Sequence, residues 1–413
     1  MVPKGWEIKH LSELASKISD GIHKTPLYAD TSEIYFINGN NLKSGSIVIQ
    51  DSTKCVDEND AINHRKDLGV RTLLMSINGT IGNLAYYRGE NVVLGKSASY
   101  INIKDSVNLD FIYYILSSSK TQAFYESELT GTTIRNLSIK SIKSTEILTP
   151  PLPEQKKIAQ ILSTWDKAIS VTENLLANSQ QQKKALKQQL LTGKKRLLDD
   201  NGTRFSEIWE LHALSKLFQR VTTKNNGKST NVVTISGQHG LIKQEDFFKK
   251  TVASDTLDGY FLLKKGQFAY NKSYSNGYPM GAIKRLNRYP EGVVTTLYIC
   301  FELSTPKESY GDYWEHYFES GLLNNSLSQI AHEGGRAHGL LNVKPSDFFS
   351  LKVPVPGFEE QQKIAAVLSA ADAEISTLEK KLACLKDEKR ALMQQLLTGK
   401  RRVKVDAEEA VSA

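Results

Sequence analysis

The sequence predicts an α+β protein in which two tandem globular domains of mixed α/β structure are joined by two long helices, forming an antiparallel coiled coil with pseudo-two-fold symmetry. A 43-residue segment occurs twice, at 154–196 and 360–402, with 24 identical positions and a constant offset of 206 residues. A weaker repeat precedes each copy, at 6–14 and 209–217. Both long copies also carry a heptad pattern of apolar residues. The chain therefore consists of two copies of one unit.

The repeat also predicts the domain organisation. Each globular part precedes a long segment of helical periodicity, and a short polar tail follows the second one. The predicted boundaries are a first globular domain at 1–149, a first helix region at 150–198, a second globular domain at 199–353, a second helix region at 354–405 and a tail at 406–413.

Start and stop signals predict that each repeated segment is one uninterrupted helix. Each begins just after prolines, which are tolerated only in the first turn of a helix. Each ends in Leu-Leu-Thr-Gly-Lys, with Gly193 and Gly399 placed where a left-handed residue closes a helix. About 38 residues lie between these signals, which is roughly 57 Å of helix at 1.5 Å per residue.

The heptads predict that the two helices pair with each other. In the first helix the a and d positions are Ile158, Leu162, Trp165, Ile169, Thr172, Leu176, Ser179, Lys183, Leu186 and Leu190. In the second helix they are Ile364, Leu368, Ala371, Ile375, Leu378, Leu382, Leu385, Lys389, Leu392 and Leu396. Polar residues, including the equivalent Lys183 and Lys389, weaken this seam. Antiparallel pairing would place the globular domains at opposite ends of a rod; the alternative is two independent helices, each packed on its own domain.

Charge is distributed unevenly along the chain. Its 413 residues include 53 basic and 45 acidic side chains, a formal net charge of +8. Residues 151–198 carry nine basic and three acidic side chains, whereas the globular domains are nearly neutral. Nucleic-acid binding by those domains would therefore need a locally basic face. A mildly basic protein with no nucleic-acid role explains the overall charge equally well.

Cysteine usage and the N-terminal sequence favour a cytoplasmic protein. The three cysteines form no metal-binding or disulfide pattern, which fits a reducing compartment. The first residues contain no apolar targeting segment, and the apolar runs are too short to span a bilayer. We therefore expect a cytoplasmic protein with no membrane partner.

Alternating apolar runs and turn residues predict strands and short helices in the globular domains. The predicted strands are 34–37, 46–49, 99–103, 231–235 and 293–301, and the predicted helices at equivalent places are 111–118 and 313–320. The loops between them are rich in Asn, Gly, Ser and Thr. Small residues allow a close approach to phosphates, and Asn, Gln, Arg and His offer hydrogen bonds to base edges.

These loops supply the candidate DNA-binding residues. Such loops recur in both halves but differ between them, as expected if the two domains recognise different nucleic-acid sequences. For any single loop, an ordinary turn is the alternative interpretation. The candidates are Asn38, Asn40, Asn41, Asn78, Thr80, Thr132, Thr133, Arg135, Gln238, His239, Asn271, Lys272, Tyr274, Arg336 and His338.

Sequence signals for catalysis are absent. The chain has no phosphate-binding loop of the Walker type and no Asn-Pro-Pro-Tyr-like motif of amino-methyltransferases. Asp347 and Lys352 match a nuclease site poorly, and the eight histidines are scattered. We therefore predict no catalytic residue and no metal ligand, and interpret the chain as a binding and assembly protein.

The complete pattern resembles the specificity subunits of type I restriction-modification systems. The resemblance rests on the two-fold repeat, on Pro-Leu-Pro-Glu-Gln-Lys-Lys-Ile-Ala at Pro151–Ala159 with its counterpart at Val353–Ala365, and on the two Gln-Gln-Leu-Leu-Thr-Gly-Lys endings. It implies that each globular domain is a target recognition domain, which reads one half of a bipartite double-stranded DNA site through the major groove. It also implies that the helices set the spacing between the half-sites.

The resemblance further implies protein partners. Two modification subunits would dock on the helices, and restriction subunits would bind through them. These partners would carry S-adenosylmethionine, ATP and magnesium, and this chain would bind no cofactor. We expect leucines exposed by the imperfect seam, near Leu175, Leu190 and Leu191, to contact the modification subunits. The alternatives are a stand-alone DNA methyltransferase or nuclease, and a coiled-coil scaffold without a DNA role.

Overall fold

A computed structural model describes residues 2–131, 135–248, 256–331 and 341–405. The chain folds into two compact units. Unit 1 comprises Met1–Glu173 and Lys380–Ala413, and unit 2 comprises Asn174–Glu379. Each unit therefore contains one globular domain together with a segment of each long helix, whereas the boundaries predicted from the sequence separate the domains from the helices.

The first half of the chain contains twelve strands and six helices among its described residues. The strands are β1 (Glu7–His10), β2 (Ala15–Asp20), β3 (Tyr28–Ala29), β4 (Tyr35–Ile37), β5 (Leu42–Lys43), β6 (Ser46–Ile47), β7 (Cys55–Val56), β8 (Thr72–Ser76), β9 (Leu84–Tyr86), β10 (Val92–Leu94), β11 (Ala98–Ile103) and β12 (Glu146–Thr149). The helices are α1 (Leu11–Leu14), α2 (Glu58–Asn63), α3 (Leu109–Ser117), α4 (Ser119–Ser127), α5 (Ile139–Lys143) and the long α6 (Leu152–Leu190). A 3-10 turn spans Gly39–Asn41.

The second half repeats this order with fewer described strands. They are β13 (Glu210–Ala213), β14 (Phe218–Arg220), β15 (Val233–Ser236), β16 (Gly240–Lys243), β17 (Phe261–Lys264), β18 (Phe268–Asn271), β19 (Ala282–Arg285), β20 (Glu291–Val294), β21 (Ile299–Leu303) and β22 (Lys352–Val355). The helices are α7 (Leu214–Leu217), α8 (Gln244–Phe248), α9 (Gly311–Glu319), α10 (Asn324–Ile330), α11 (Pro345–Ser350) and the long α12 (Phe358–Leu396).

The two globular domains share one structural frame. The sheet β2-β11-β8-β9 of unit 1 and the sheet β14-β21-β18-β19 of unit 2 have the same strand order, and the pairs β1-β12 and β13-β22 are also equivalent. The remaining strands differ: unit 1 has a four-stranded sheet β10-β4-β7-β3, whereas unit 2 has the separate pairs β15-β16 and β17-β20. The predicted repeat of a mixed α/β domain is confirmed, and the domains diverge outside the shared frame.

The helices predicted at 111–118 and 313–320 correspond to α3 and α9, and the strands predicted at 34–37 and 99–103 correspond to β4 and β11. The predicted and observed bounds of these elements differ by at most two residues. The single strand predicted at 293–301 is wrong. The backbone turns between β20 and β21, where Tyr298 N donates to Thr295 O at 3.2 Å. Leu297 is 60% exposed in this turn. The prediction treated the apolar residues at 293–301 as one continuous strand. Because Leu297 faces solvent in a turn, the segment instead forms two strands, β20 and β21.

The heptad prediction is confirmed by burial. Helices α6 and α12 each have 39 residues. All twenty predicted a and d positions are buried or half-buried, and most residues between them are exposed. This is the pattern of a helix with one partner along its length.

Side-chain contacts within each unit show how the helix segments run. In unit 1, Lys389 of α12 contacts Asp166 of α6, and Leu396 shares a core with Ile158. An early residue of one helix thus packs near a late residue of the other, so the segments are antiparallel. Packing of each helix on its own domain alone does not account for these contacts.

Unit 2 has the equivalent arrangement. There Lys183 of α6 contacts Asp372 of α12, and Leu190 shares a core with Ile364 and Leu368. The helix segments are again antiparallel. In both units the helix ends contribute to the core of the globular domain, so domain and helix fold as one body.

A buried glutamate joins three parts of the chain in unit 1. Glu154, in the first turn of α6, is 5% exposed. It accepts a hydrogen bond from Trp6 Nε1 at 3.0 Å and two from Arg402, at 2.7 Å from Nε and 2.9 Å from Nη2. The guanidinium also lies 5.6 Å from the centre of the Trp6 ring. These contacts tie both helices to the N-terminal segment.

Unit 2 repeats this arrangement with Trp209, Glu360 and Arg196. Trp209 Nε1 donates to Glu360 Oε2 at 2.8 Å, and Arg196 Nε and Nη2 donate to the same carboxylate at 2.6 and 2.7 Å. Arg196 lies 5.5 Å from the Trp209 ring centre. We call the two three-residue groups the glutamate clamps.

Polar residues predominate on the faces of α6 and α12 outside the heptad seam, with Val171 and Leu175 as exposed apolar exceptions on α6. Across the described ranges, no helix is both long enough and apolar enough to cross a membrane.

The clamp of unit 2 predicts a large stability effect. We expect Glu360→Ala to lower the free energy of unfolding by about 3–5 kcal/mol, because it leaves a largely buried guanidinium and an indole N–H without their acceptor. Chemical denaturation measures this loss. The matched control Glu359→Ala removes an exposed carboxylate and should change stability by less than about 0.5 kcal/mol. Equal effects of the two substitutions would contradict a structural role for the clamp.

Candidate nucleic-acid interface

Three predicted loops of unit 1 meet at one edge of the shared sheet. Asn78, in the loop between β8 and β9, forms an isolated β-bridge with Asn136. Leu137 N donates to Ile77 O at 2.9 Å. Gly39 approaches the same place, since a Cβ on it would lie 2.9 Å from Ser76 Cβ. The structure therefore brings together the loops at 38–41, 76–83 and 135–136.

Two of the predicted DNA-binding residues in these loops are structural. Asn41 is only 8% exposed, and its Nδ2 donates to Val48 O at 3.0 Å. Its Oδ1 accepts from Asn38 N at 3.0 Å, and Asn38 Oδ1 accepts from Ser97 Oγ at 2.9 Å. These hydrogen bonds show that the amide groups of Asn38 and Asn41 hold the 3-10 turn in place, while their contact with DNA stays a prediction.

The remaining described candidates of unit 1 are available. Asn40 and Thr80 are exposed. Arg135 is exposed and makes a surface ion pair with Glu126 at 3.3 Å. Asn78 Oδ1 is enclosed and has no hydrogen-bond partner within the part of the chain that the structure describes. Thr132 and Thr133 lie outside the described residues.

Unit 2 also brings two of its predicted loops together. Tyr278, in the loop between β18 and β19, donates its hydroxyl to Gly237 O at 2.8 Å. A Cβ at position 237 would lie 2.7 Å from the Tyr278 ring, so the close approach requires glycine. Gln238 and His239 follow directly and are exposed. The strands β18 and β19 are equivalent to β8 and β9, so both units place candidate loops at the same edge of the frame.

The other candidates of unit 2 differ in exposure. Tyr274 is 64% exposed. Asn271 is half-buried, and its Oδ1 accepts from Ser273 N at 3.1 Å. Lys272 is half-buried, its Nζ lies 3.4 Å from Val343 O, and burial, together with Arg220, lowers its pKa. Arg336 and His338 lie outside the described residues.

Sequence reasoning missed the residues that hold these loops. Ser97 fixes the 3-10 turn through Asn38 and Gly39, and nothing in its spacing indicates this. In unit 2, Lys284 donates to Gly237 O at 2.7 Å and to Tyr278 Oη at 2.9 Å. Glu319 accepts from Tyr278 at 2.9 Å, so a buried lysine and an acidic residue of α9 support the loop.

The predicted partner-contacting leucines have different environments. Leu175 is 48% exposed on α6. Leu190 and Leu191 are fully buried in the core of unit 2, so the expectation that they are exposed is wrong. The helix ends at these residues, the chain then turns at Gly193 beside Trp209, and Trp209 packs against the core that contains both leucines. The predicted contact of Leu175, Leu190 and Leu191 with a partner stays a prediction.

The lysines of the seam are paired with aspartates in both units. In unit 1, Asp166 accepts from Lys389 at 2.5 Å and from Tyr114 Oη at 2.7 Å. In unit 2, Asp372 accepts from Lys183 and lies 3.9 Å from His316 Nδ1. Lys183 and Lys389 therefore add specific polar contacts to the seam that they were expected to weaken.

The histidine of unit 2 occupies the place of the tyrosine of unit 1, on the equivalent helices α9 and α3. His316 Nε2 lies 2.9 Å from Ser369 Oγ. Burial lowers the pKa of His316, and the nearby ammonium groups of Lys183 and Lys187 lower it further, against the opposing effect of Asp372. The two units thus contain the same Lys–Asp pair, with a tyrosine hydroxyl beside it in unit 1 and an imidazole beside it in unit 2.

No catalytic constellation accompanies the loops in the described residues. Over those ranges, no group of three or more His, Cys, Asp or Glu side chains is arranged to hold a metal ion. Cys300 is buried, and burial raises the pKa of its thiol to about 12, which keeps it protonated and unreactive. The geometry of the edge loops suits binding.

Comparison with known proteins identifies the family. The family described as type I restriction modification DNA specificity domain matches residues 3–178 and 204–386. The chain belongs to this family. The two matches fall on the two repeats, each with its helix, so the chain contains two specificity domains.

Relatives and solved structures agree with this assignment. The specificity subunit of the type I restriction enzyme MjaVIII from Methanocaldococcus jannaschii is 24% identical over 98% of this chain and 94% of its own length. A second subunit from that organism, of the putative type I enzyme MjaX, is 24% identical over 98% and 95%. The crystal structure of a type I restriction-modification S subunit from M. genitalium covers 96% of both chains at 17% identity, with a TM-score of 0.58, and shares the fold.

Family membership confirms the resemblance inferred from the sequence and the predicted α+β class with two tandem domains. It also confirms the assignment to DNA specificity and not to catalysis. The individual DNA-contacting residues stay predictions, since neither the comparisons nor the structure tests them.

The buried histidine predicts a pH dependence of stability. The pKa of His316 in the folded protein is below the value of about 6.5 for an unfolded chain. Below that pH the unfolded state binds more protons, so the free energy of unfolding decreases as the pH falls through 6.5. We expect His316→Gln to reduce the stability lost between pH 7.5 and 5.5, as measured by denaturation. The exposed control His239→Gln should retain the full loss; a retained loss in both variants would contradict this assignment.

Proposed function

We propose that the chain is the DNA specificity subunit of a type I restriction-modification complex and that each globular domain reads one half of an interrupted DNA site. The observation that carries the proposal is the repeated frame with different edge loops. Both units place loops at the same edge of an equivalent sheet, yet those loops differ in sequence and in the strands around them. Two copies of one scaffold with different loops suit two different half-sites.

The chemistry of the exposed loop residues supports direct contact with DNA. In unit 1 the available side chains are Asn40, Thr80 and Arg135, and in unit 2 they include Gln238 and Tyr274. Amides pair with adenine edges, arginine pairs with guanine, and hydroxyl groups contact bases or phosphates. The proposed reading surface is therefore polar and contains little charge.

The long helices are proposed to set the spacing of the half-sites and to dock two modification subunits. Leu175 is an exposed apolar residue on α6, as expected for a protein contact. In unit 1 a groove beside the helix seam has an apolar floor that includes Ile161, Trp165 and Leu392 and charged residues such as Lys157 and Glu388 around it, which adds a surface on which a partner helix can pack. Pairing of one copy of this chain with two modification subunits follows from the two equivalent units.

The chemistry of modification and cleavage is assigned to the partners. In this proposal the modification subunits bind S-adenosylmethionine, and restriction subunits that join through them use ATP and magnesium. The chain itself binds none of these groups and acts in the cytoplasm. A stand-alone methyltransferase or nuclease would instead act on DNA without any partner.

Methylation mapping tests the proposal. In cells that carry the gene, we expect adenine methylation at one bipartite motif, and in cells without it we expect that motif to be unmethylated. Co-purification with the cognate modification subunit should yield one copy of this chain for every two of the partner. An unchanged methylation pattern, or methylation of DNA by the purified chain alone, would overturn the proposal.

Arg135 provides a residue-level prediction. Phosphate contacts are the commoner class of protein–DNA hydrogen bond. We therefore expect Arg135→Ala to weaken binding of the assembled complex by a similar factor for the cognate duplex and a scrambled duplex. A guanine contact would instead cost about 1–3 kcal/mol at one position of the site only.

The matched control is Arg65→Ala, an exposed arginine outside the edge loops. It should leave both affinities unchanged. Unchanged affinity of the Arg135→Ala variant on both duplexes would place this loop away from the DNA.

A further inference from the structure

Unit 1 contains a large groove between its globular domain and its helix segments. The groove has a volume of about 1430 Å³. Its walls come from the loop after β9, from α3 and α4, and from the facing segments of α6 and α12. No candidate DNA-binding residue of the edge loops lines it, so its chemistry has to be explained separately. We call it the basic groove.

The charged residues of the groove are predominantly basic. Seven lysine or arginine residues line it, against the four carboxylates Asp110, Glu146, Asp166 and Glu173. Three of those carboxylates are engaged. Asp166 accepts from Lys389, Glu173 lies 2.7 Å from Lys386, and Asp110 accepts from Tyr86. Asp110, whose partner Tyr86 is neutral, and Glu146 are left to balance the other five cations that line the groove.

Four of those cations have no acidic partner. The side chains of Arg88, Lys120, Lys167 and Lys400 are exposed and form no ion pair with any residue the structure describes. A fifth cation, Arg390, makes only a loose surface contact of 3.6 Å with Asp387. Exposed, unpaired cations are free to bind an anion without first breaking a contact inside the protein.

The repeat shows that the coiled coil does not require this charge. With the offset of 206 residues, Lys167 corresponds to Ala373, and Lys386 corresponds to Gln180. The heptad seam is buried in both helices, although these outer positions differ. Because the paired helices accept alanine or glutamine at these outer positions, folding of the coiled coil does not require a charged residue there.

An extended polyanion fits this arrangement better than a small anion. The four unpaired cations come from four separate elements around a wide groove, and no two of them lie on the same turn of a helix. A cleft lined by charges of one sign focuses the electric field and attracts an extended ligand of the opposite charge. Lysine and arginine on flexible side chains are the usual partners of successive phosphates.

We propose that the basic groove binds the phosphate backbone of the DNA duplex that unit 1 reads. The proposal rests on the proposed function and adds an anchoring surface that is independent of base sequence. The edge loops then select the sequence, while the groove contributes affinity and salt dependence. The basic charge is greater in unit 1, since Lys167 and Lys386 have no basic counterpart in the repeat, whereas Lys389, Arg390 and Lys400 correspond to Lys183, Lys184 and Lys194.

Charge neutralisation in the assembled complex tests the anchoring role. The groove variant combines Lys120→Gln, Lys167→Gln and Arg390→Gln. The matched control combines Lys156→Gln, Lys380→Gln and Lys381→Gln, which removes the same charge from exposed positions of unit 1 outside the groove. Affinity is measured on the cognate duplex and a scrambled duplex over a range of salt concentrations.

The expected result is a smaller salt dependence for the groove variant alone. The slope of the logarithm of affinity against the logarithm of salt should fall by about 0.9 for each phosphate contact removed, or about 2.7 for three. Affinity should fall by the same factor on both duplexes, by about tenfold or more at low salt. The control should keep the slope of the unmodified complex.

Other outcomes distinguish an error in the groove assignment from an error in the proposed function. Equal slopes for the groove variant and the control, with normal binding by the unmodified complex, overturn the groove assignment and leave the proposed function intact. Loss of the modification subunits from the groove variant, with unchanged DNA slope, also overturns it and makes the groove a protein-docking surface. An unmodified complex that binds neither duplex contradicts the proposed function itself.

Discussion

The rest of the architecture depends on a carboxylate held away from water at the start of each long helix. Glu154 and Glu360 are each almost fully buried, and each accepts three hydrogen bonds from one arginine and one tryptophan. Burial of a charge is costly unless geometry and hydrogen bonding are complete. Because the donors come from distant parts of the chain, the helix entry, the end of the other helix and the first strand of the domain must form together.

The polar contacts of the seam make the register of the helices specific. An apolar seam alone tolerates a shift by one heptad, whereas a buried lysine must meet its aspartate. Lys389 meets Asp166 in unit 1, and Lys183 meets Asp372 in unit 2. The register fixed in this way holds the globular domains at defined positions on their helices, and with them the edge loops.

Sequence patterns predicted the periodic parts of the structure and not the tertiary contacts. The heptads and the repeat identified α6, α12 and their seam, because burial of one helix face leaves a regular trace in the sequence. The structural roles of Asn38 and Asn41 were not predicted, since an amide side chain suits a base edge and a turn equally well. The exposure of Leu190 and Leu191 was misjudged because the core that buries them is built from residues distant in sequence, which leave no periodic signal.

The clamp of unit 1 also brings the segment around Lys4 next to the segment around Arg402. Arg402 Nη1 donates to Lys4 O at 2.9 Å, and the same guanidinium contacts the Trp6 ring. The order of the elements is therefore cyclic in space, although the chain is linear. A short peptide joining residue 404 to residue 2 would close a ring, and a cut at an exposed turn such as Asn201–Gly202 would open it again with every clamp and helix pair retained.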